Sequence, residues 1–468
     1  MAQAILRPSV WGALAPMLAM VQCAGRIAST SDIAGIDDGG PGWVEAASSS
    51  EAAAPFDASD TGPPVGIGDG SAAPSDGGPD RDESSIAGQD ASDATIATAS
   101  DGAAMEASVN DAAFQSDVVP PTVVELTAGI MHACALLADG TVACWGDNEY
   151  SELGDGTDAS GSATPVIVAG LSGVTSVSAG HLQTCTGLSD GGAVCWGENA
   201  SGDLGANTPY EWQITPVAVS ALSGVVTVAA GYDDTCALLT DGGVVCWGNN
   251  EQGQLGSGTS ASYSVTPVNV PGVSPATSLG LANGTVCAVL AEGTVDCWGG
   301  NGMGELGTGA YGLDPTPTPV PGITNAISVS GGLGVNECVL LDGGTVDCWG
   351  AGFSRSVPGS PTPLAVPGVG GLTAIAAGEE HVCGLLPSGA VVCWGSYAVA
   401  SNDGGFDGVD PTIVPGLTDA IALAAGKGFT CAIRSNGTVV CWGVDQPMAT
   451  ASPCGLAGCS LTPTALLW

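Results

Sequence analysis

Short runs of apolar residues, separated by polar turns, fill the last three quarters of the chain and fit the length and alternation of β-strands. In the run 134–144, apolar residues lie on both sides of Ala138, Asp139 and Gly140. Two turn-forming residues followed by glycine are typical of a three-residue hairpin loop, a type I turn that ends in a G1 bulge. The pattern therefore predicts a β-hairpin.

The hairpin pattern recurs seven times with the same cysteine spacing. Each copy has a cysteine, nine further residues, and a second cysteine followed by Trp-Gly. Pairing outward from the loop puts the two cysteines opposite each other in a non-hydrogen-bonded position, with Cα atoms roughly 4.5 Å apart. A disulfide tolerates this separation. The predicted bridges are Cys134–Cys144, Cys185–Cys195, Cys236–Cys246, Cys287–Cys297, Cys338–Cys348, Cys383–Cys393 and Cys431–Cys441.

The repeat period predicts the architecture. Successive copies are separated by 51 residues at first and by 45 and 48 at the end. Stretches such as 164–168 and 174–180 supply two further strands per copy, and four strands per period indicate a propeller blade. We expect an all-β, seven-bladed propeller over 119–468. Because 462–467 matches 164–169, we also expect the C-terminal strand to pair into the first blade and close the ring.

The repeats resemble the regulator of chromosome condensation repeat, a family of seven-bladed propellers, in the form of an exported bacterial member. The third copy shows the family pattern in Ala230-Gly231, Asp241-Gly242, Trp247-Gly248, Asn250 and Leu255-Gly256. The chain departs by placing cysteine before every Trp, and the last three copies lack the Asn and Leu-Gly elements. The resemblance implies binding functions: eukaryotic relatives act on chromatin and on a small GTPase, and similar propellers are secreted β-lactamase inhibitors.

The first 118 residues have the pattern of an export signal followed by a tether. Residues 1–23 carry one early charge, Arg7, and then an apolar run that is too short to span a bilayer, as in a signal peptide. Cys23 follows this run and is left over once Cys454 and Cys459 are paired locally, which suggests a lipidation site resembling those of bacterial lipoproteins. Ordinary cleavage near Ala24 is the alternative. Residues 24–118 are rich in Ala, Ser, Gly and Asp and predict a disordered acidic tether.

The charge and the motifs of the chain limit the classes of function that we expect. The chain has six Lys and Arg residues and a formal net charge of −41, which opposes binding to nucleic acid. We find no nucleophile with a base partner and no phosphate-binding loop, so we expect no enzyme activity and no cofactor. An active site of scattered carboxylates at the propeller axis is beyond what the sequence shows.

Three sets of residues are candidates for a site. The loop 147–158 is rich in Asp and Glu and is the candidate for calcium, although a solvated acidic surface is favoured. His132, His181 and His381 each precede a hairpin, where a structural role is favoured over a joint metal site. Tyr210 and Trp212 lie out of phase with the repeat, and as exposed loop aromatics they are the predicted contact patch.

These observations favour a non-enzymatic, extracytoplasmic binding module that is secreted or held in the cell envelope as an outer-membrane lipoprotein. We expect a monomer that binds a protein or glycan at the cell surface and meets the membrane only through a lipid on Cys23. The alternatives are a GTPase exchange factor, a secreted enzyme inhibitor and a hydrolase, which would need a carboxylate pair in a pocket. The fold alone does not select among them.

Overall fold

The computed structural model describes residues 121–208, 211–352, 357–396, 409–443 and 462–468. These residues form seven antiparallel four-stranded sheets, so the predicted all-β, seven-bladed propeller is confirmed. In each sheet the strands follow one another in chain order from the inner edge to the outer edge. The described ranges contain no helix with the length and apolarity needed to span a bilayer.

The strands have the following bounds. Blade 1 contains β1 (Val123–Ala128), β2 (His132–Leu137), β3 (Val142–Asp147) and β4 (Gly161–Ile167), and blade 2 contains β5 (Val174–Ala179), β6 (Gln183–Leu188), β7 (Ala193–Glu198) and β8 (Trp212–Ala218). Blade 3 contains β9 (Val225–Ala230), β10 (Asp234–Leu239), β11 (Val244–Asn249) and β12 (Tyr263–Asn269), and blade 4 contains β13 (Ala276–Ala282), β14 (Thr285–Leu290), β15 (Val295–Gly299) and β16 (Asp314–Pro319). Blade 5 contains β17 (Ala326–Gly331), β18 (Asn336–Leu341), β19 (Val346–Gly352) and β20 (Pro358–Ala365), and blade 6 contains β21 (Ala374–Ala377), β22 (His381–Leu385), β23 (Val391–Gly395) and β24 (Val409–Ile413). Blade 7 contains β25 (Ala420–Ala425), β26 (Phe429–Arg434), β27 (Val439–Gly443) and β28 (Thr464–Ala465).

The hairpin between the second and third strands has the predicted turn. The amide of Gly140 donates to the carbonyl of Leu137 at 2.9 Å, and Gly140 has φ +81°, which an L side chain rarely adopts. The register then places Cys134 opposite Cys144. All seven hairpin cysteine pairs are bonded, with Cα atoms 4.0 to 4.1 Å apart. Cys23, Cys454 and Cys459 lie outside the described residues.

The predicted closure by the C-terminal strand was wrong. β28 pairs with β27 in the seventh blade, whereas the first blade takes its outer strand, β4, from the segment that follows its own hairpin. Blades 1 and 7 meet instead through a shared apolar cluster that includes Val123, Ile433 and Leu466. Each blade supplies all four of its own strands. The ring is therefore closed by this packing, together with a backbone bond from the amide of Lys427 to the carbonyl of Ile130 at 3.3 Å.

Tryptophans on the third strands fill the junctions between blades. Each occupies the same position of its repeat and is at most 2% exposed: Trp145, Trp196, Trp247, Trp298, Trp349, Trp394 and Trp442. The indole nitrogen of Trp196 donates to the carbonyl of Glu152 in the preceding blade at 2.7 Å. Three further blades repeat this bond, from Trp247 to Asp203, from Trp298 to Gln254 and from Trp349 to Glu305.

The Leu-Gly element of the repeat explains how the tryptophan is accommodated. Gly154 has φ +61°, and a Cβ there would lie 2.6 Å from the indole nitrogen of Trp196. Leu153 is 1% exposed, and its amide donates to the buried side chain of Asn148 at 2.9 Å. The fifth copy lacks these elements, and the indole nitrogen of Trp394 in blade 6 has no hydrogen-bond partner in the described part of the chain.

Candidate functional site: the loop face

The loops of each blade emerge on one of two sides. The short connections such as 129–131 and the long loops such as 148–160 lie on the same side, because strand direction alternates from β1 to β4. We call this side the loop face. The tight hairpin turns occupy the opposite side. Since the long loops vary most between blades, the loop face carries the distinctive side chains of this chain.

The inner strands of the seven blades surround a central cavity of about 390 Å³. Hydroxyls connect neighbouring blades here: Thr127 Oγ1 accepts from the amide of Ala179 at 2.9 Å, and Ser178 Oγ accepts from the amide of Ala230 at 2.9 Å. Glu125 is the one carboxyl group among the described residues that line the cavity, and burial raises its pKa to about 7. A carboxylate pair suited to hydrolysis is thus not formed by the described lining residues.

Loop-face side chains surround the mouth of this cavity. The ring of His181 stacks on that of Tyr232 in the next blade, with centroids 3.7 Å apart. Lys427 Nζ lies 3.2 Å from Glu379 Oε2 in the neighbouring blade. Backbone bonds join the first connections of adjacent blades, as when the amide of His181 donates to the carbonyl of Gly231 at 2.9 Å. The mouth is therefore built from positioned groups of several blades.

Three side chains at the mouth could hold a metal ion. One ligand atom from each of His181, Glu198 and Asp233 can be chosen so that all three lie within 4.8 Å of one another. We call these three residues the mouth cluster. His181 Nδ1 is buried, lies 3.6 Å from Asp233 Oδ1 and makes no hydrogen bond within the described residues. Burial and the charge of Asp233 raise the pKa of Glu198.

Two buried carboxyl groups lie near the mouth cluster. Asp203 and Asp234 are 2% and 0% exposed. Burial, assisted by the charge of Asp233, raises the pKa of Asp203 to about 8 and that of Asp234 well above its usual range. Oδ1 of Asp203 and both carboxyl oxygens of Asp234 have no hydrogen-bond partner among the described residues. The region concentrates acidic groups around one imidazole.

A row of exposed apolar side chains crosses three consecutive blades on the loop face. Trp212 and Tyr263 occupy the same register position at the start of the outer strand, and Leu313 directly precedes the equivalent strand in blade 4. They are 50%, 55% and 61% exposed. We call them the rim row. Trp212 is the cross-strand partner of Glu198, so the rim row adjoins the mouth cluster.

The predicted contact patch is thus only part of the exposed apolar surface. Trp212 is exposed as expected, and Tyr210 lies outside the described residues. Tyr263 and Leu313 were missed by the sequence reasoning, although a positional signal existed. Trp212 follows Trp196 by 16 residues, and Tyr263 follows Trp247 by the same number.

Two of the three histidines have structural roles. His132 Nε2 hydrogen-bonds Thr184 Oγ1 in the next blade at 2.8 Å, and His381 Nε2 does the same with Thr430 at 2.7 Å. Burial lowers the pKa of these histidines to about 3 and about 4, so both are neutral at pH 7. They belong to blades 1 and 6, and only His181 joins the mouth cluster.

The acidic loop 147–158 uses its carboxylates within itself. Asp155 Oδ1 accepts from the amide of Thr157 at 2.9 Å, Glu152 Oε2 accepts from the amide of Tyr150 at 2.9 Å, and Asp147 Oδ1 accepts from the amide of Asn148 at 2.9 Å. In the part of the chain that the structure describes, this loop forms no group of three ligands close enough for one ion. These bonds use some of the oxygen atoms that a calcium ion would need. Glu152 is 1% exposed, so the loop is only in part the solvated acidic surface that was expected.

The fold and its loop face define a disulfide-bridged repeat propeller. Two family models, both described as the regulator of chromosome condensation (RCC1) repeat, match it: one over 139–186, 190–238 and 241–289, and the other over 123–152, 225–254, 372–396 and 420–446. The chain therefore contains RCC1 repeats, and the matched segments lie in blades 1 to 4, 6 and 7.

Relatives match less than half of this chain. The probable E3 ubiquitin-protein ligase HERC4 of Homo sapiens is 32% identical over 206 residues, which are 43% of this chain and 19% of the ligase. The E3 ubiquitin-protein ligase HERC2 of Mus musculus is 29% identical over 219 residues, 45% of this chain and 4% of that one. The chain therefore matches a fifth or less of these relatives' length.

The structural likenesses show the fold. Human WBSCR16 has a TM-score of 0.60 and 21% identity, and the match covers 68% of this chain and 88% of that one. Yeast RCC1 (Prp20), solved bound to Kap60, has a TM-score of 0.58 and 20% identity, with 80% and 91% covered. A further structure of Prp20p from Saccharomyces cerevisiae concerns its binding to Gsp1p and histones, and it has a TM-score of 0.59 and 21% identity with 74% and 88% covered.

Proposed function

We propose that this chain is a non-enzymatic binding module that works outside the cytoplasm, and that its loop face binds a protein segment with basic and apolar side chains. The rim row carries the proposal. Three large apolar side chains, each at least half exposed, lie at the start of the outer strand or directly before it in three neighbouring blades. Scattered exposed apolar residues are ordinary, but a row next to polar groups is typical of interaction sites.

Charge favours a basic partner. The rim row adjoins Glu198, Asp233 and the other acidic groups of the mouth. Within the described ranges, both basic side chains are already paired, Lys427 with Glu379 and Arg434 with Asp419 at 2.8 Å. A segment that carries Lys or Arg beside apolar residues would satisfy both features of the surface, whereas nucleic acid would be repelled.

The proposed compartment follows from the disulfides. Seven bridges inside one chain persist in an oxidising environment and are rare in the cytosol. Three predictions from the sequence agree with this compartment: export by 1–23, a lipid on Cys23 and an acidic tether over 24–118. In this proposal the propeller is a monomer displayed at the cell envelope or secreted.

The proposal has two alternatives. The family resemblance suggests an exchange factor for a small GTPase, but the seven disulfides oppose a cytosolic site of action. Inhibition of an exported enzyme uses the same compartment and the same kind of surface. It is therefore one form of the binding function proposed here.

Arrays of short peptides and glycans, probed with the purified disulfide-intact chain, test the proposal. The peptides share an apolar core and differ in flanking Lys, Glu or Ser residues. We expect binding to the Lys-flanked set, with a loss of at least about tenfold in the double variant Trp212→Ala/Tyr263→Ala, as for interface aromatic anchors.

The control variant removes equally exposed apolar residues elsewhere. Ile167 and Ile327 are 56% and 51% exposed, and Ile167 lies at the opposite end of its strand from the rim row. Ile167→Ala/Ile327→Ala should bind as the parent does. Equal binding by all three proteins, or preference for glycans or Glu-flanked peptides, would contradict the proposal. Accelerated release of guanine nucleotide from GTPases would favour the exchange-factor alternative.

A further inference from the structure

The mouth cluster has the composition of a first-row metal site. It offers one imidazole nitrogen and two carboxylates, from His181, Glu198 and Asp233, with ligand atoms within 4.8 Å of one another. Ligand atoms bound to one Zn²⁺ at about 2.0 to 2.2 Å lie roughly 3 to 4 Å apart, so a small contraction of these side chains brings them into range. Three protein ligands leave at least one coordination position open.

The surroundings hold these three groups in place. The His181 ring is fixed by its stack on Tyr232, and its Nδ1 points at Asp233 across 3.6 Å, too far for a good hydrogen bond. The amide of Glu198 donates to the carbonyl of Leu182 at 2.9 Å, which ties the end of β7 to the loop that carries His181. The carbonyl of Asp233 accepts from Asn249 at 2.8 Å. The ligands therefore sit on supported backbone segments of blades 2 and 3.

A second observation points to a cation. Asp203 is 2% exposed, and one of its carboxyl oxygens has no hydrogen-bond partner in the described chain. Its carboxyl group interacts electrostatically with Asp233 and Glu198, two members of the cluster. Buried polar atoms without partners are uncommon in native proteins, and a nearby bound ion can satisfy them. The acidic groups around this imidazole also have no basic side chain hydrogen-bonded to them among the described residues.

We propose that the mouth cluster binds one divalent transition-metal ion, with Zn²⁺ as the expected occupant. Imidazole together with carboxylate suits Zn²⁺ and its first-row neighbours, whereas Ca²⁺ takes six or more oxygen ligands. His181 Nδ1, one oxygen of Glu198 and one oxygen of Asp233 are the protein ligands. The open position faces the loop face, where water or a donor group of a bound partner completes the coordination. The metal site does not require a peptide on the rim row, although Glu198 and Asp233 also contribute to the negative charge beside that row.

The test uses the full chain with intact disulfides, free thiols alkylated and metal removed by a chelator. Calorimetric titration with ZnCl₂ and native mass spectrometry should show one saturable Zn²⁺ per chain that a large excess of Ca²⁺ does not displace. Glu198→Gln and Asp233→Asn should each weaken binding at least about tenfold. His181→Phe should do the same while it keeps a ring stacked on Tyr232.

Glu251→Gln is the matched control, because Glu251 is an exposed carboxylate on the same face and outside the cluster. This variant should bind Zn²⁺ as the parent does. Circular dichroism and thiol counts establish that each variant is folded with its bridges formed. An absence of saturable binding, or equal binding by the parent and the triple variant His181→Phe/Glu198→Gln/Asp233→Asn, would overturn the assignment.

Discussion

The indole of Trp196 and the carbonyl of Glu152 lie 44 positions apart in the chain and form a 2.7 Å hydrogen bond across the junction of blades 1 and 2. This bond links the Trp-Gly motif of one repeat to the Leu-Gly motif of the repeat before it. Both motifs therefore describe one contact, which is formed at four junctions between blades. Neither motif has its full structural meaning within a single repeat.

Adding a methyl group at the Leu-Gly glycine should disrupt this contact. In Gly154→Ala the new Cβ would lie 2.6 Å from the Trp196 nitrogen at a φ of +61°. Gly170 of the same blade has φ +66°, but a Cβ there would have no other atom within 4 Å. We expect Gly170→Ala to cost about 1 kcal/mol from backbone strain alone and Gly154→Ala to cost at least about 1 kcal/mol more. Chemical denaturation of both variants measures the difference, and equal losses would mean that the indole contact adds nothing.

Removal of one bridge should weaken the propeller without unfolding it. The double variant Cys236→Ala/Cys246→Ala opens an eleven-residue loop. The chain-entropy model gives a loss of about 2.5 to 3 kcal/mol, to which the lost packing of two buried sulfurs adds. Guanidinium unfolding of the variant and of the parent measures this loss. A midpoint that stays unchanged would show that the neighbouring packing alone fixes the hairpin.

Leu466 should be essential to the junction of blades 1 and 7. It is 6% exposed and lies in the apolar cluster shared by the two blades, whereas Leu467 is 61% exposed. We expect Leu466→Ala to lower stability by about 2 to 5 kcal/mol and Leu467→Ala by less than about 0.5 kcal/mol. Thermal unfolding of the pair provides the comparison. Similar melting of both variants would refute closure through this cluster.

The propeller should lose stability as pH rises from 6.5 to 8.5. Burial raises the pKa of Glu125 to about 7 and the pKa values of Glu152 and Asp203 to about 8. The folded state thus holds protons that the unfolded state releases at the ordinary pKa values, 3.8 for Asp203 and 4.5 for the two Glu residues. The stabilisation is therefore complete below these values, declines as the pH rises and is lost once the pH passes 7 to 8. Melting temperatures over this range check the trend.

The two buried histidines do not contribute to the change in stability between pH 6.5 and 8.5. The pKa values of His132 and His381 are lowered to about 3 and about 4, so their effect on stability falls below pH 6.5. The variant Glu152→Gln should flatten the decline between pH 6.5 and 8.5, because glutamine has no proton to release. A parent protein that melts at the same temperature at both ends of the window would contradict the raised pKa values.

The hairpin could be predicted from the sequence because its determinants are local. Gly140 and the pairing of Cys134 with Cys144 follow from a run of eleven residues. The sequence does not determine in the same way which blade each outer strand joins. A strand between two hairpins in a periodic chain matches either neighbour equally well, and the structure shows that 164–167 joins the hairpin before it.

The mouth cluster could not be predicted from spacing. His181, Glu198 and Asp233 come from two repeats and meet because their short connections and strand ends reach the same face. The acidic loop 147–158 gave a stronger local signal, yet its carboxylates accept bonds from their own backbone amides. Local density of Asp and Glu in the sequence therefore does not by itself bring ligand atoms together in the fold.

Closure by packing has a mechanical consequence. A pull on the segment before Val123 acts on β1, the innermost strand of the first blade, and on its apolar contacts with blade 7. Extension from this end would reach Cys134 after about a dozen residues and would then bypass the closed hairpin, because the covalent bridge to Cys144 carries the tension. Each later blade has one such bridge, and the residues inside its loop cannot be extended. The fully stretched propeller is therefore shorter by the length of seven hairpin loops.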